Sequence, residues 1–260
     1  MIDWLYFLPE LLIVALVAAI LSAAIAWLPR LVRRIPGLAH SDVNTEFVIR
    51  MQAPLFTLTA LVLTFTLVEA ERNFRQVDAD LTAEASHLNQ LDRLLTRYDT
   101  PAALVLRPLV RAYAQSIVKD EWPRMLDGKP SRPTSLAYGR LSRAIMAMDP
   151  VPGRQSLIFA ELLKSLDAAA ESREKRLADV RVGLPGIYWA VILFATLMLL
   201  FVSSTIGPTR LRTSVLAAQL AVLGAFIGFV FIMDAPFTGE TAVRPVALAR
   251  VIQAMENRAN

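Results

Sequence analysis

Apolar and polar positions along this chain separate into long blocks. Four stretches carry no Asp, Glu, Lys or Arg: residues 11–29, 51–68, 183–208 and 213–233. Each is near the ~20 residues that cross about 30 Å of hydrocarbon as a helix, so the pattern predicts four membrane spans. Two hairpins flank a polar block. The segments this pattern predicts are 1–68 (first transmembrane hairpin), 69–182 (helical polar domain), 183–233 (second hairpin) and 234–260 (a C-terminal turn followed by an amphipathic helix). An even number of spans places both termini and the polar block on one side of the membrane.

Inside the polar block apolar residues recur at three and four, and no alternating run appears, which predicts helices throughout. Phe74, Val77, Leu81, Leu88, Leu91 and Leu95 form a seam that continues from the second span with no Gly or Pro between, so one long helix is expected to run from that span to about Tyr98. Thr100 as N-cap and Pro101 at the first helical position open the next helix, which Pro108 restarts or kinks and which stops at Trp122-Pro123. Residues 127–133 read as a linker. A shorter helix, the MDPVPG break and a helix from about Gln155 follow, the last carrying Phe159, Leu162, Leu163, Leu166, Ala170 and Leu177. The fold class is all-α, with an antiparallel bundle burying these seams.

Composition supports the membrane reading: 55% of the 260 residues are hydrophobic and 19% are charged, with a mean hydropathy of +0.46. Asp3 and Glu10 stand where a signal peptide needs basic residues, so the first run is expected to stay in the mature protein. Trp4, Tyr6, Trp27, Tyr188 and Trp189 fall at or near span ends, where amphipathic rings settle. The net charge of +4 is mild and its arginines lack interleaved aromatics, so no nucleic-acid partner is expected. Lys and Arg counts near the span ends (Arg30, Arg33, Arg34, Arg50, Arg210 and Arg212 on one side) are nearly balanced and leave orientation open.

Candidate chemistry is sparse. There is no cysteine, the only histidines are His40 and His87, and HExxH, GxSxG, Walker and GxGxxG motifs are missing, so neither an enzyme, a metal site nor a cofactor is expected. His87 reads as a solvated or interhelical residue. Glu84 falls on the apolar seam, and a carboxylate there needs a cation; Arg111, Arg173 and Arg176 on neighbouring helices are the candidates, either for a register-fixing ion pair or for an ion pathway. The second span carries two threonine faces, Thr57 with Thr64 and Thr59 with Thr66. Back-bonding or helix packing explains them, and so does a permeation path. Spacing alone does not choose a face; the one with Thr57, Ala60, Leu61, Thr64 and Val68 is favoured as pore-lining because its steps are small and apolar.

Several pieces in fixed order resemble the bacterial bestrophin-like domain family, four-span membrane proteins distantly similar to bestrophin anion channels. They are Glu84-Ala85 with Leu88 and Leu91; Arg111, Tyr113 and Glu121-Trp122-Pro123; Arg173 and Arg176; Leu184-Pro185 with Trp189; and Asp234-x-Pro236-Phe237-x-Gly239. The resemblance implies a multi-pass protein of the bacterial inner membrane with a cytosolic helical block, assembling with itself, as a pentamer if the likeness reaches bestrophins proper. It implies passage of small anions such as chloride, with the second span lining the pore. A non-conducting, membrane-anchored interaction or sensing module is the alternative. Animal bestrophins follow their Pro-Phe-Gly with an acidic run that helps bind calcium; here only Asp234 and Glu240 flank it, so calcium gating is not expected. Within the triplet, Trp122 is expected to pack into the bundle and Pro123 to end its helix. Asp234 is expected to mark the interface, Pro236 to stop the last span, Phe237 to tuck back, and Gly239 to turn the chain before a helix near Pro245. Membrane lipid is the remaining expected partner.

Overall fold

The structure is a computed structural model that describes residues 9–32, 42–127, 129–180, 183–206 and 209–259. Trp4, Tyr6, Arg33, Arg34, His40 and Gly207, and the side chain of Arg30, lie outside the described residues. Nine α-helices are present among those described: α1 (Glu10–Val32), α2 (Asp42–Tyr98), α3 (Pro101–Leu104), α4 (Arg107–Ser116), α5 (Arg132–Met146), α6 (Arg154–Asp179), α7 (Gly186–Ser204), α8 (Arg210–Met233) and α9 (Val246–Asn257). Four of them are long and apolar enough to cross a membrane: α1, α2, α7 and α8. The seam does run unbroken, for α2 is one helix of 57 residues, about 85 Å at 1.5 Å per residue, of which hydrocarbon needs about 30 Å.

The chain forms two compact units. The first comprises Met1–Phe74 and Gly183–Ala242 and holds α1, the first part of α2, α7 and α8. Ile25, Leu63, Ile192, Leu199, Leu220, Leu223 and Val230 are its core. Its outer surface is also apolar, with Leu11, Trp27, Phe65 and Phe194 exposed, as a lipid-facing surface requires. Two polar contacts tie its helices together: the Ser22 hydroxyl donates to the Ala217 carbonyl at 2.9 Å, and the Gln52 amide to Ser203 Oγ at 3.2 Å. Helices α1 and α8 run in close contact because Gly224 and Gly228 present no side chain to Ala18 and Val14.

The second unit comprises Arg75–Val182 and Val243–Asn260. Val77, Leu81, Ala85, Leu88, Leu91 and Leu95 of α2 are buried, as are Val110, Tyr113 and Ala114 of α4, Leu141 and Ile145 of α5, and Leu162, Leu166 and Ala169 of α6. Phe74, at the start of the seam, is only half-buried. The Thr100 hydroxyl caps α3 by accepting from the Ala103 N–H, with Pro101 at the first helical position.

One departure from the expected course bears on the site. The helix after Pro108 does not continue as α-helix to Trp122-Pro123: it changes to a π segment over Ile117–Glu121, then to a 3₁₀ turn over Trp122–Asp127. The Trp122 N–H donates to the Ile117 carbonyl, and Pro123 has no N–H with which to extend that register. Glu121 is the fully buried member of the triplet, Trp122 is half-buried and Pro123 exposed. The expected burial of Trp122 is thus shared with a carboxylate.

Candidate functional site

The buried face of α6 runs through Leu162, Leu166, Ala169 and Ser172 and arrives at Arg176, which is 1% exposed. The buried face of α2 carries Glu84 among Leu81, Ala85 and Leu88. The two meet as a fork: Arg176 Nε donates to Glu84 Oε2 at 2.6 Å and Nη2 to Oε1 at 3.2 Å. The π segment brings Glu121 to the same guanidinium, 2.7 Å from Nη2. Arg173, one turn back on α6, binds the Glu121 carboxylate through Nε at 3.1 Å and through Nη2. Two carboxylates and two guanidiniums are therefore matched in charge, and the Ser131 N–H donates to Glu121 as well, at 3.0 Å. The Tyr113 hydroxyl is buried and has no hydrogen-bond partner among the described residues; burial, with Glu84 close by, pushes its phenol far above the usual range. His87 Nδ1 sits 3.0 Å from Ser172 Oγ, an interhelical contact.

Arg111, the third cationic candidate for Glu84, is not in this quartet. It lies two residues from Tyr113, about 200° around α4, so Tyr113 and Arg111 cannot both face the core.

The two acids respond to burial differently. Desolvation is the largest influence on Glu84, which lies well beyond the spanning part of α2; it outweighs Arg176 and raises the carboxyl above its ordinary range. Burial by itself would raise Glu121 too, but hydrogen bonds and charge from Arg173 and Arg176 prevail and hold it low. Burial opposes the charge on Arg176, yet Glu84 and Glu121 more than restore it, keeping the guanidinium charged. A group held below its unfolded value stabilises the fold above that value and loses its contribution as pH falls. Glu121→Gln is therefore expected to lower the thermal midpoint most at neutral pH, with the gap to the parent narrowing as pH falls below Glu's usual 4.5. Thermal scans of both proteins from pH 8 down to about pH 2.5 would check this; a gap that widens toward acid would refute it.

In the first unit the last two motif pieces come together. Asp234 caps α8, accepts the Leu184 N–H, and accepts Trp189 Nε1–H at 3.0 Å. Pro236 is buried behind it, Phe237 is half-buried, and Gly239 turns the chain at φ 86°. The Glu10 carboxylate accepts the Thr241 N–H at 2.6 Å, tying that turn to α1. On α2 the threonine faces separate: Thr59 and Thr66 are 1% and 2% exposed, whereas Thr57, Leu61, Thr64 and Val68 are exposed and Ala60 half-exposed. All four threonine hydroxyls donate to the carbonyl four residues back, at 2.8–3.0 Å. No group of three or more His, Cys, Asp or Glu among the described residues could hold a metal ion.

A family model for the bestrophin-like domain matches residues 16–248. The chain belongs to the bestrophin-like domain family. Solved structures share this bestrophin-like fold. A crystal structure of a membrane protein variant is 13% identical, with 95% of this chain and 96% of that one aligned and a TM-score of 0.58. A second membrane protein variant is 14% identical over 99% and 98% of the two chains, with a TM-score of 0.56. A bacterial bestrophin homologue from Klebsiella pneumoniae carrying one substitution is 13% identical over 96% and 98%, with a TM-score of 0.54. A search of curated protein sequences finds no match. The protein is a multi-pass, all-α membrane protein of the bestrophin type.

Sequence reasoning missed a second buried acid on the α2 seam. Asp92 is 1% exposed and is held by Arg107, through Nε at 2.8 Å and Nη2 at 3.2 Å, and by Arg258 Nε at 2.9 Å. Its signal was its place between Leu88 and Leu95, the same reasoning that singles out Glu84.

Proposed function

We propose that this chain is one subunit of a homo-oligomeric channel of the bacterial inner membrane, pentameric by its likeness to bestrophins, that passes small anions such as chloride. The second span lines the path. The observation that carries this reading is the division of α2: one hydroxyl face is consumed inside the subunit, while the face of Thr57, Ala60, Leu61, Thr64 and Val68 is left outside it. Around a symmetry axis that outer face supplies alternating hydroxyl steps and apolar constrictions, the latter able to gate by wetting. Rotation about the threonine Cβ–Oγ bond frees the hydroxyl proton from its backbone acceptor, and this is the donor a dehydrated anion needs. The quartet around Arg176 acts as a fixed strut in the helical unit, which lies on the cytosolic side.

The chain lacks cysteine, so a single introduced thiol is easily interpreted. In proteoliposomes a thiol reagent is expected to block chloride flux through Thr64→Cys and to leave the parent unaffected. Block at Thr59→Cys or Thr66→Cys instead would move the path to the other face, and absence of flux in the parent would end the channel reading.

A further inference from the structure

Arg111 has a place in the motif but no role in the quartet. It lines a cavity of about 190 Å³ in the helical unit together with Asp92, Leu104, Arg107, Pro108, Met255 and Ala259. The carboxylate there is fully engaged, since Arg107 grips both oxygens of Asp92 and Arg258 takes one of them again. Arg258 also donates to Asn89 Oδ1 at 2.6 Å, and Arg107 Nη1 to the Arg258 carbonyl at 3.5 Å. Arg111 makes no hydrogen bond or ion pair among the described residues and is half-buried. Three guanidiniums thus stand around one carboxylate, leaving two positive charges in excess at a partly enclosed site. The cavity wall includes the start of α4, where Arg107 and Pro108 are the first helical residues; Leu109 and Val110 already donate their N–H groups to the Leu106 carbonyl, so the positive charge at the site is that of the arginine side chains.

A cavity of this size holds about six waters' worth of liquid volume, enough for a tetrahedral oxyanion with part of its hydration but not for a nucleotide. Arginine pairs favour such ligands because the planar fork meets two oxygens at once. From the uncommitted guanidinium, the charge excess and the cavity, we infer that the helical unit binds a phosphate-type oxyanion between Arg111 and Arg107. The ligand is free phosphate or a small soluble phosphomonoester, whose binding chemistry is the same; Asp92 stands 24 residues beyond Val68 on one continuous helix, about 36 Å past the span, out of reach of a lipid headgroup.

The test is thermal stability of the full-length protein in nanodiscs at constant ionic strength, titrated with inorganic phosphate, with chloride as the control anion. Phosphate at ten times its dissociation constant is expected to raise the midpoint by about 3–6 °C. Arg111→Gln is expected to abolish that rise while leaving the unliganded midpoint near the parent's, because Arg111 holds no partner to lose. Leu104→Trp, which fills the cavity without changing charge, should abolish it too and stands in if Arg111→Gln fails to assemble. An Arg111-dependent rise with inorganic phosphate identifies the free ion. An Arg111-dependent rise seen only with glycerol phosphate identifies a phosphomonoester. No Arg111-dependent rise under either condition, or an equal rise with chloride, overturns the inference. The parent's flux in proteoliposomes is independent of this outcome, so failure here and failure of the channel reading are distinguishable.

Discussion

Arg176→Met is expected to lower the thermal midpoint of the purified protein by roughly 10 °C. The side chain is 1% exposed and, among the described residues, is the sole cation bound to Glu84, while Glu121 retains Arg173. Removing it leaves one buried carboxylate uncompensated, a loss of ~3–5 kcal/mol, and each kcal/mol moves the midpoint of a domain this size by about 2–4 °C. The sign of a second substitution separates charge from packing. Glu84→Met combined with Arg176→Met removes both charges and is expected to recover much of the loss, because an apolar pair of similar volume needs no counter-ion. Differential scanning fluorimetry of Arg176→Met, Glu84→Met and the double variant decides it. If the double variant is as unstable as the sum of the two single ones, the pair is not coupled and the quartet is not what fixes these helices.

The second large effect is expected in the membrane unit, and it reverses a general rule. Replacing a helix-interior glycine by alanine ordinarily stabilises by about 1 kcal/mol. At Gly224 a Cβ would stand 2.7 Å from the Ala18 Cα and 2.8 Å from the Val17 carbonyl oxygen, both backbone atoms of α1 that cannot rotate away. Gly224→Ala is therefore expected to destabilise by about 1–3 kcal/mol as α1 and α8 are forced apart. Gly139 in α5 is the control, since a Cβ there meets nothing within 4 Å, and Gly139→Ala should follow the ordinary rule. Equal gains at both positions would mean that α1 and α8 are not in such close contact.

The four spans and the continuous α2 were legible because charge-free runs and three-four periodicity both report burial directly. Glu84 was legible for the same reason, falling on its helix's apolar stripe, whereas Arg176 was reached only as one of three arginines on neighbouring helices. What periodicity could not carry was the change to a π segment at Ile117–Glu121; Glu121 itself follows Val110, Tyr113, Ala114 and Ile117 at three-four spacing on one buried stripe, so its burial was readable. The missing N–H of Pro123 was a hint that the register ends there, but not that it widens first. Arg111 was paired with Glu84 on helix adjacency alone; its offset of two residues from the buried Tyr113 placed it elsewhere, and that offset was readable. Nor could spacing choose between the threonine faces. Which of them is buried depends on where α7 and α8 pack, a property of contacts distant in sequence.

The subunit count of the protein extracted in mild detergent, measured by native mass spectrometry, bears most directly on the channel. A closed ring of identical chains is expected, five by the likeness to bestrophins. A homogeneous monomer would contradict a pore lined by α2, because Thr57 and Thr64 would then have no axis to face.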